Sequence, residues 1–190
     1  MEIKDSGKKR EFNTGAHRDN AEGKGRCDLL PLEEVLIAST SGQMELLDIS
    51  SLLGLIESAL TLVINAGKKR GNLEEIFSNM VGVACITSVA SGFYENMSTN
   101  DVRNATPSGY FWYGVIQVSK HFEEGAKKYG ENNWKKGMPL SVYYDSCMRH
   151  LLKAAAGMND EPHIRAACWN ALCFLWTMKN KKELDNFTTI

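Results

Sequence analysis

The sequence predicts an all-α fold, a helical bundle of about five to six helices. Three observations lead there. From Leu29 onward, most segments repeat their apolar residues at helical spacing. Helix punctuation bounds those segments: Asn or Pro at their starts and Gly at their ends. The one run rich in β-branched residues, "VGVACITSV", has no second run to pair with, so it reads as helix too.

The elements follow in chain order. Residues 1–28 form a polar, Gly-rich arm with mixed charges, expected to be irregular and to pack on the domain. "LLPLEEVLIAS" is a short helix with Pro31 tolerated in its first turn. "MELLDISSLLGLIESALTLVINAG" places Leu46, Ile49, Leu53, Ile56, Leu60 and Val63 on one stripe and stops at Gly67. "NLEEIFSNMVGVACITSVASGFYENM" starts on Asn72 as N-cap, with Glu75 three residues on. "TPSGYFWYGVIQVSKHFEEGAKKYG" ends at Gly130, and "PLSVYYDSCMRHLLKAAAG" runs from Pro139 to Gly157. "DEPHIRAACWNALCFLWTMKN" has acids at its start and lysines at its end, both suited to the helix dipole. A single helical domain over 29–178 results, with a polar tail at 179–190.

Composition narrows the function classes. The 190 residues are 43% hydrophobic and carry a formal net charge of −1. That balance suits one globular domain and opposes a general polyanion binder, so no nucleic-acid polymer is expected as partner. A nucleotide pocket needs only local charge. No apolar run is long enough to span a bilayer, and the first 15 residues lack the apolar core of a signal peptide. Four of the five cysteines sit in apolar helical surroundings and only Cys27 in a polar loop, which reads as free thiols in a reducing compartment. The expected location is cytoplasmic.

Polar residues that could carry chemistry gather on the last three helices. Glu123–Lys127 and Glu124–Lys128 are i, i+4 pairs, as solvated helix faces often are. Asp145, Arg149 and His150 interrupt an otherwise apolar stretch, either as a structural pair or as a seam facing a ligand. His163, Ala167 and Asn170 share a face of the last helix. The loop "GENNWKKGMP" adds Asn133 and Trp134. An amide can read a base edge, and an indole can stack on a base or anchor the loop. Two motif tests fail. "GAHRDNAEGKGR" does not fit a Walker loop, because Arg18 stands at the first Gly and Gly25 at the Ser/Thr. Cys147, His150, His163 and Cys168 lack the close spacing of a zinc motif, so zinc is set aside.

Two blocks resemble a known family. Residues 15–35, "GAHRDNAEGKGRCDLLPLEEV", and residues 121–177 carry the motifs G-K-G-R-x-D-L-L-P, F-E-x-G-A-x-K-Y-G-x-x-N-W, D-S-x-x-R-H and D-E-x-H-x-x-A-x-x-W-N. They are similar to the phage and prophage family named for a dATP/dGTP diphosphohydrolase N-terminal domain, relatives of the MazG-like all-α pyrophosphohydrolases. Residues 36–120 match less and are expected to be a variable insertion.

The resemblance implies a MazG-like bundle, a purine nucleotide as partner, a homo-oligomer, and Mg²⁺-dependent hydrolysis of a purine deoxynucleoside triphosphate to monophosphate and pyrophosphate. A phage would use it on the nucleotide pool. Glu123, Asp145 and His163 are then the expected catalytic residues, and Glu123, Glu124, Asp145, Asp160 and Glu161 the expected metal ligands. Lys24, Arg26, Lys127, Arg149 and His150 would hold phosphate; Asn133, Trp134 and Asn170 would hold base or sugar. The chain departs from the MazG pattern E-E-x-x-E, because Lys127 stands at the third acid, and its last helix has no E-x-x-D. The alternative is a non-catalytic protein that sequesters a purine nucleotide or a host defence signal.

Overall fold

The computed structural model describes residues 9–11, 17–19, 25–39, 52–67, 72–92 and 107–186. Six α-helices lie among them: α1 (Leu32–Ser39), α2 (Leu52–Gly67), α3 (Leu73–Gly92), α4 (Pro107–Tyr129), α5 (Leu140–Ala155) and α6 (His163–Asn180). The all-α bundle is as expected. The arm differs from the irregular segment predicted: β1 (Lys9–Glu11) and β2 (His17–Asp19) pair antiparallel in a three-residue ribbon. Leu46, Ile49 and the expected start of the second helix lie outside the described residues.

Local chemistry sets the helix ends. Asn72 Oδ1 accepts the Glu74 N–H at 3.0 Å, a side-chain cap on α3. Gly130 and Gly157 follow α4 and α5 with φ of 91° and 72°, where only glycine sits without strain. Asn186, in the tail, caps the start of α5 from outside: its Oδ1 takes the Ser141 N–H at 3.0 Å and its Nδ2–H₂ donates to Ser141 Oγ.

The helix α3 is the centre of the bundle, packing on α2, α4 and α6. It buries Ile76, Phe77, Met80, Val81, Val83, Ala84 and Cys85, which span more than one face, as an interior helix must. Phe77 stacks on Phe174 of α6 with ring centroids 3.8 Å apart. At Gly114 of α4 a Cβ would stand 2.1 Å from the Cys85 carbonyl oxygen, so only glycine lets α3 and α4 approach this closely. The segment 36–120, expected as a variable insertion, contributes core through its described residues. Its weak resemblance has a physical reason: an interior helix needs apolar volume, which many sequences supply. The cysteines fall as predicted, with Cys85, Cys147, Cys168 and Cys173 buried and Cys27 exposed. No described helix is long and apolar enough to cross a membrane.

Candidate functional site: an aromatic cavity beside a histidine cluster

The loop after α4 builds one wall of a cavity. Asn132 adopts a left-handed φ of 56°, one turn of 3-10 helix follows at Asn133–Lys136, and Gly137 ends it at φ 77°. This path turns Trp134 inward. Its ring meets Phe122 of α4 at 5.5 Å and Trp176 of α6 at 5.1 Å, both edge-on. Between this loop, the end of α4 and the facing sides of α5 and α6 lies a cavity of about 480 Å³. Phe122, Trp134, Tyr143 and Trp169 give it aromatic walls; His121, Asn132, Asn133 and Lys136 give it polar ones. A few polar groups set among aromatic surfaces describe a small-molecule site.

Among the buried polar atoms at this cavity without a hydrogen-bond partner in the described residues are Trp134 Nε1–H and His121 Nδ1. The nearest carboxylate oxygen to that Nδ1 is Glu124 Oε2 at 3.8 Å, beyond hydrogen-bond length. Burial, reinforced by the Arg165 guanidinium, pushes the His121 imidazole down to about 4, so it is neutral at pH 7. Glu124, His150 and Glu161 also act on it, which places His121 between the cavity and a second polar group.

That group joins α5 to α6. His150, in α5, and His163, at the start of α6, bring their Nδ1 atoms to 3.2 Å. Glu161 Oε1 lies 3.4 Å from each of these nitrogens. His163 is buried, and its Nε2 meets Asp160 Oδ1 at 2.9 Å. Lys153 Nζ donates to Asp160 Oδ2 at 3.1 Å. Lys153, then His163, holds the Asp160 carboxyl below the usual range. Burial lowers His150. The atoms His150 Nδ1, His163 Nδ1 and Glu161 Oε1 have the spacing of a metal-ligand set.

The predicted site residues divide. Asn133 and Trp134 line the cavity, and His150, Asp160, Glu161 and His163 assemble the cluster. The rest are used elsewhere. Glu123, expected as metal ligand and catalytic base, is buried; its Oε2 accepts the Gly25 N–H at 2.8 Å and its Oε1 meets Lys127 at 3.0 Å. Lys127 is thereby drawn to Glu123. Arg26 chelates Asp28 through Nε and Nη2 and reaches Glu131 through Nη1, all at 2.7 Å. These bonds hold the end of the arm to α4, a structural latch. Glu124 binds Arg165 at 2.8 and 2.9 Å. Asp145 and Arg149 pair on the exposed side of α5, with Ser146, so the polar seam expected through them faces solvent. Asn170 is buried and donates to the Ala166 carbonyl of its own helix at 2.8 Å. Lys24 lies outside the described residues.

Sequence reasoning missed His121, Lys153, Arg165 and Trp169. His121 begins the motif H-F-E-E and reads as an ordinary helix residue. Lys153 has no carboxylate at i±4, which was the available signal that its partner comes from elsewhere; Arg165 has Glu161 four residues before it, a local pairing that hid its bond to Glu124.

Residues 98–187 match the family model described as dATP/dGTP diphosphohydrolase, N-terminal. The resemblance is borne out over this part of the chain. The match takes in 98–120, previously assigned to the insertion, and leaves out the 15–35 block. No curated protein and no solved structure matches the chain.

Proposed function

We propose that this chain binds a purine deoxynucleoside triphosphate and hydrolyses it to the monophosphate and pyrophosphate. One observation supports this above others: the cavity and the cluster lie side by side, and all their residues except Leu29 fall within the family match. In this reading the base enters the aromatic cavity against Trp134. Asn132 and Asn133 offer amides to its edge, and neutral His121 offers its unpaired Nδ1. The phosphates point past His121 toward Lys153 and Arg165, whose present carboxylate partners a polyphosphate would replace. Water attacks the α-phosphorus, a new P–O bond forms, and the bond to the β-phosphate oxygen breaks. The Glu161 carboxylate, on the open side of the cluster, accepts the water's proton at Oε2, the oxygen not turned to the two imidazoles.

The Mg²⁺ that the resemblance implies would find oxygen ligands here in Glu124 and Asp160, the two carboxylates that a polyphosphate would release from Arg165 and Lys153. Hard Mg²⁺ takes oxygen ligands. Glu123 and Asp145 are paired with Lys127 and Arg149, and Glu161 stands with two imidazole nitrogens. Mg²⁺ enters this reading as the companion of the nucleotide phosphates, with no protein step assigned to it. The same pairing favours a second reading, a binding protein that sequesters its nucleotide without hydrolysis. A homo-oligomer belongs to both readings; the exposed Trp112, Tyr113 and Ile116 of α4 are the face we assign to it. The phage nucleotide-pool role follows from the resemblance and is proposed with it.

One assay separates the readings. The protein is incubated with dATP, dGTP and other nucleotides, with and without Mg²⁺, and both binding and pyrophosphate release are measured. Hydrolysis predicts release that Glu161→Gln abolishes and Trp134→Ala weakens through KM. Sequestration predicts tight binding with intact nucleotide recovered on denaturation. Absence of binding removes both.

A further inference from the structure

We propose that His150, Glu161 and His163 form a binding site for a divalent transition metal of the Zn²⁺ class. The inference does not depend on the nucleotide reading. It begins with distances. The three atoms His150 Nδ1, His163 Nδ1 and Glu161 Oε1 are 3.2, 3.4 and 3.4 Å apart. Zinc with bonds of about 2.0–2.1 Å holds tetrahedral ligand atoms about 3.3–3.4 Å apart. Octahedral Mg²⁺ with bonds of similar length needs adjacent ligands at about 2.9–3.0 Å. The triangle fits the first geometry, and its nitrogen-rich chemistry selects the same ions.

Proton placement points the same way. His163 Nε2 faces Asp160, whose carboxylate only accepts, so Nε2 carries the hydrogen. The tautomer with that single hydrogen presents a bare lone pair at Nδ1, toward His150 and Glu161. A carboxylate on the far nitrogen of a ligating histidine is the usual outer shell of a metal site. Lys153 fixes that carboxylate in turn. A plain hydrogen bond between the two imidazoles would account for the 3.2 Å contact alone. It would leave Glu161 at 3.4 Å from both nitrogens, too far for a good bond to either.

The site ties α5 to the start of α6 across the turn between them. It uses three protein ligands, and Glu161 is 41% exposed, so the fourth position opens to solvent. Water or a phosphate oxygen is the ligand class for that place.

The test uses the full chain, stripped with a chelator, with no nucleotide present. Zn²⁺ is titrated against a chromophoric competitor, and Co²⁺ absorption reads the geometry. The proposal expects one Zn²⁺ per chain, no displacement by millimolar Mg²⁺, and the intense visible bands of four-coordinate Co²⁺. His150→Ala and Glu161→Gln should each weaken zinc by roughly 100-fold, and Asp160→Asn by roughly 10-fold. Circular dichroism checks that each variant stays folded, and the two more exposed ligands keep the test valid if His163→Ala does not fold. Absence of stoichiometric zinc, the weak spectrum of six-coordinate Co²⁺, or unchanged affinity in His150→Ala and Glu161→Gln would overturn it.

Discussion

The latch and the cluster each centre on one buried polar side chain, Glu123 and His163, yet they differ in kind. At the latch every donor meets an acceptor: the Gly25 N–H and the Lys127 ammonium both meet the Glu123 carboxylate. That arrangement is complete, and it holds backbone to helix. At the cluster two imidazole nitrogens and a carboxylate oxygen converge within 3.4 Å of one another. That arrangement is completed by something else. The comparison separates a buried carboxylate that stabilises from a buried histidine that binds, which residue type alone does not do.

The largest way to break this comparison is Gly25→Ala. A Cβ there would come within 2.1 Å of Ser119 Oγ and 3.1 Å of the Lys120 nitrogen, at a φ of +86°. Destabilisation of about 2–3 kcal/mol is expected in denaturant melts, with zinc affinity unchanged in the folded fraction. Equal loss of both would mean the two regions are one unit.

His121, between the cavity and the cluster, gives the next effect. Its folded value of about 4 lies below the ordinary 6.5. Its contribution is complete above about pH 6.5. It is lost as pH falls toward 4, because the unfolded chain takes the proton that the folded site refuses. The loss is on the order of 2–3 kcal/mol. Unfolding free energies across this range should flatten in His121→Gln; an unchanged slope would show that burial at His121 is not its source.

Asp145→Asn should have the smallest effect. The Asp145 side chain is 72% exposed and Arg149 53%. A change within about 0.5 kcal/mol is expected, with zinc titration and thermal melting both like the parent. A larger zinc effect would bring the outer face of α5 into the site after all.

Much of the fold was legible. Asn72, Gly130, Gly157 and the apolar stripes gave helices that the structure confirms, because caps and periodicity act within a few residues. The stretch from His121 to Gly137 also declared itself, and its Asn133 and Trp134 do line a cavity. Glu123 was legible as a helix carboxylate, but nothing local says that its oxygen will meet a glycine 98 residues earlier. Zinc was set aside because His150 and Cys168 lack motif spacing. The partner that matters is Glu161, two residues before His163, where the signal E-x-H was present but short.

By itself, the sequence determined an all-α bundle, free cysteines in the core, and a polar, aromatic segment at the end of α4. Those depend on helical period, capping and the transfer of apolar side chains out of water, all readable from neighbours along the chain. Tertiary structure alone decided which carboxylates are taken and which donors stay open. An ion pair or a metal site depends on distances of about 3 Å between residues that can be far apart in the chain. Only the packing of α4, α5 and α6 turned Glu123 into a latch and brought His150, Glu161 and His163 to one point.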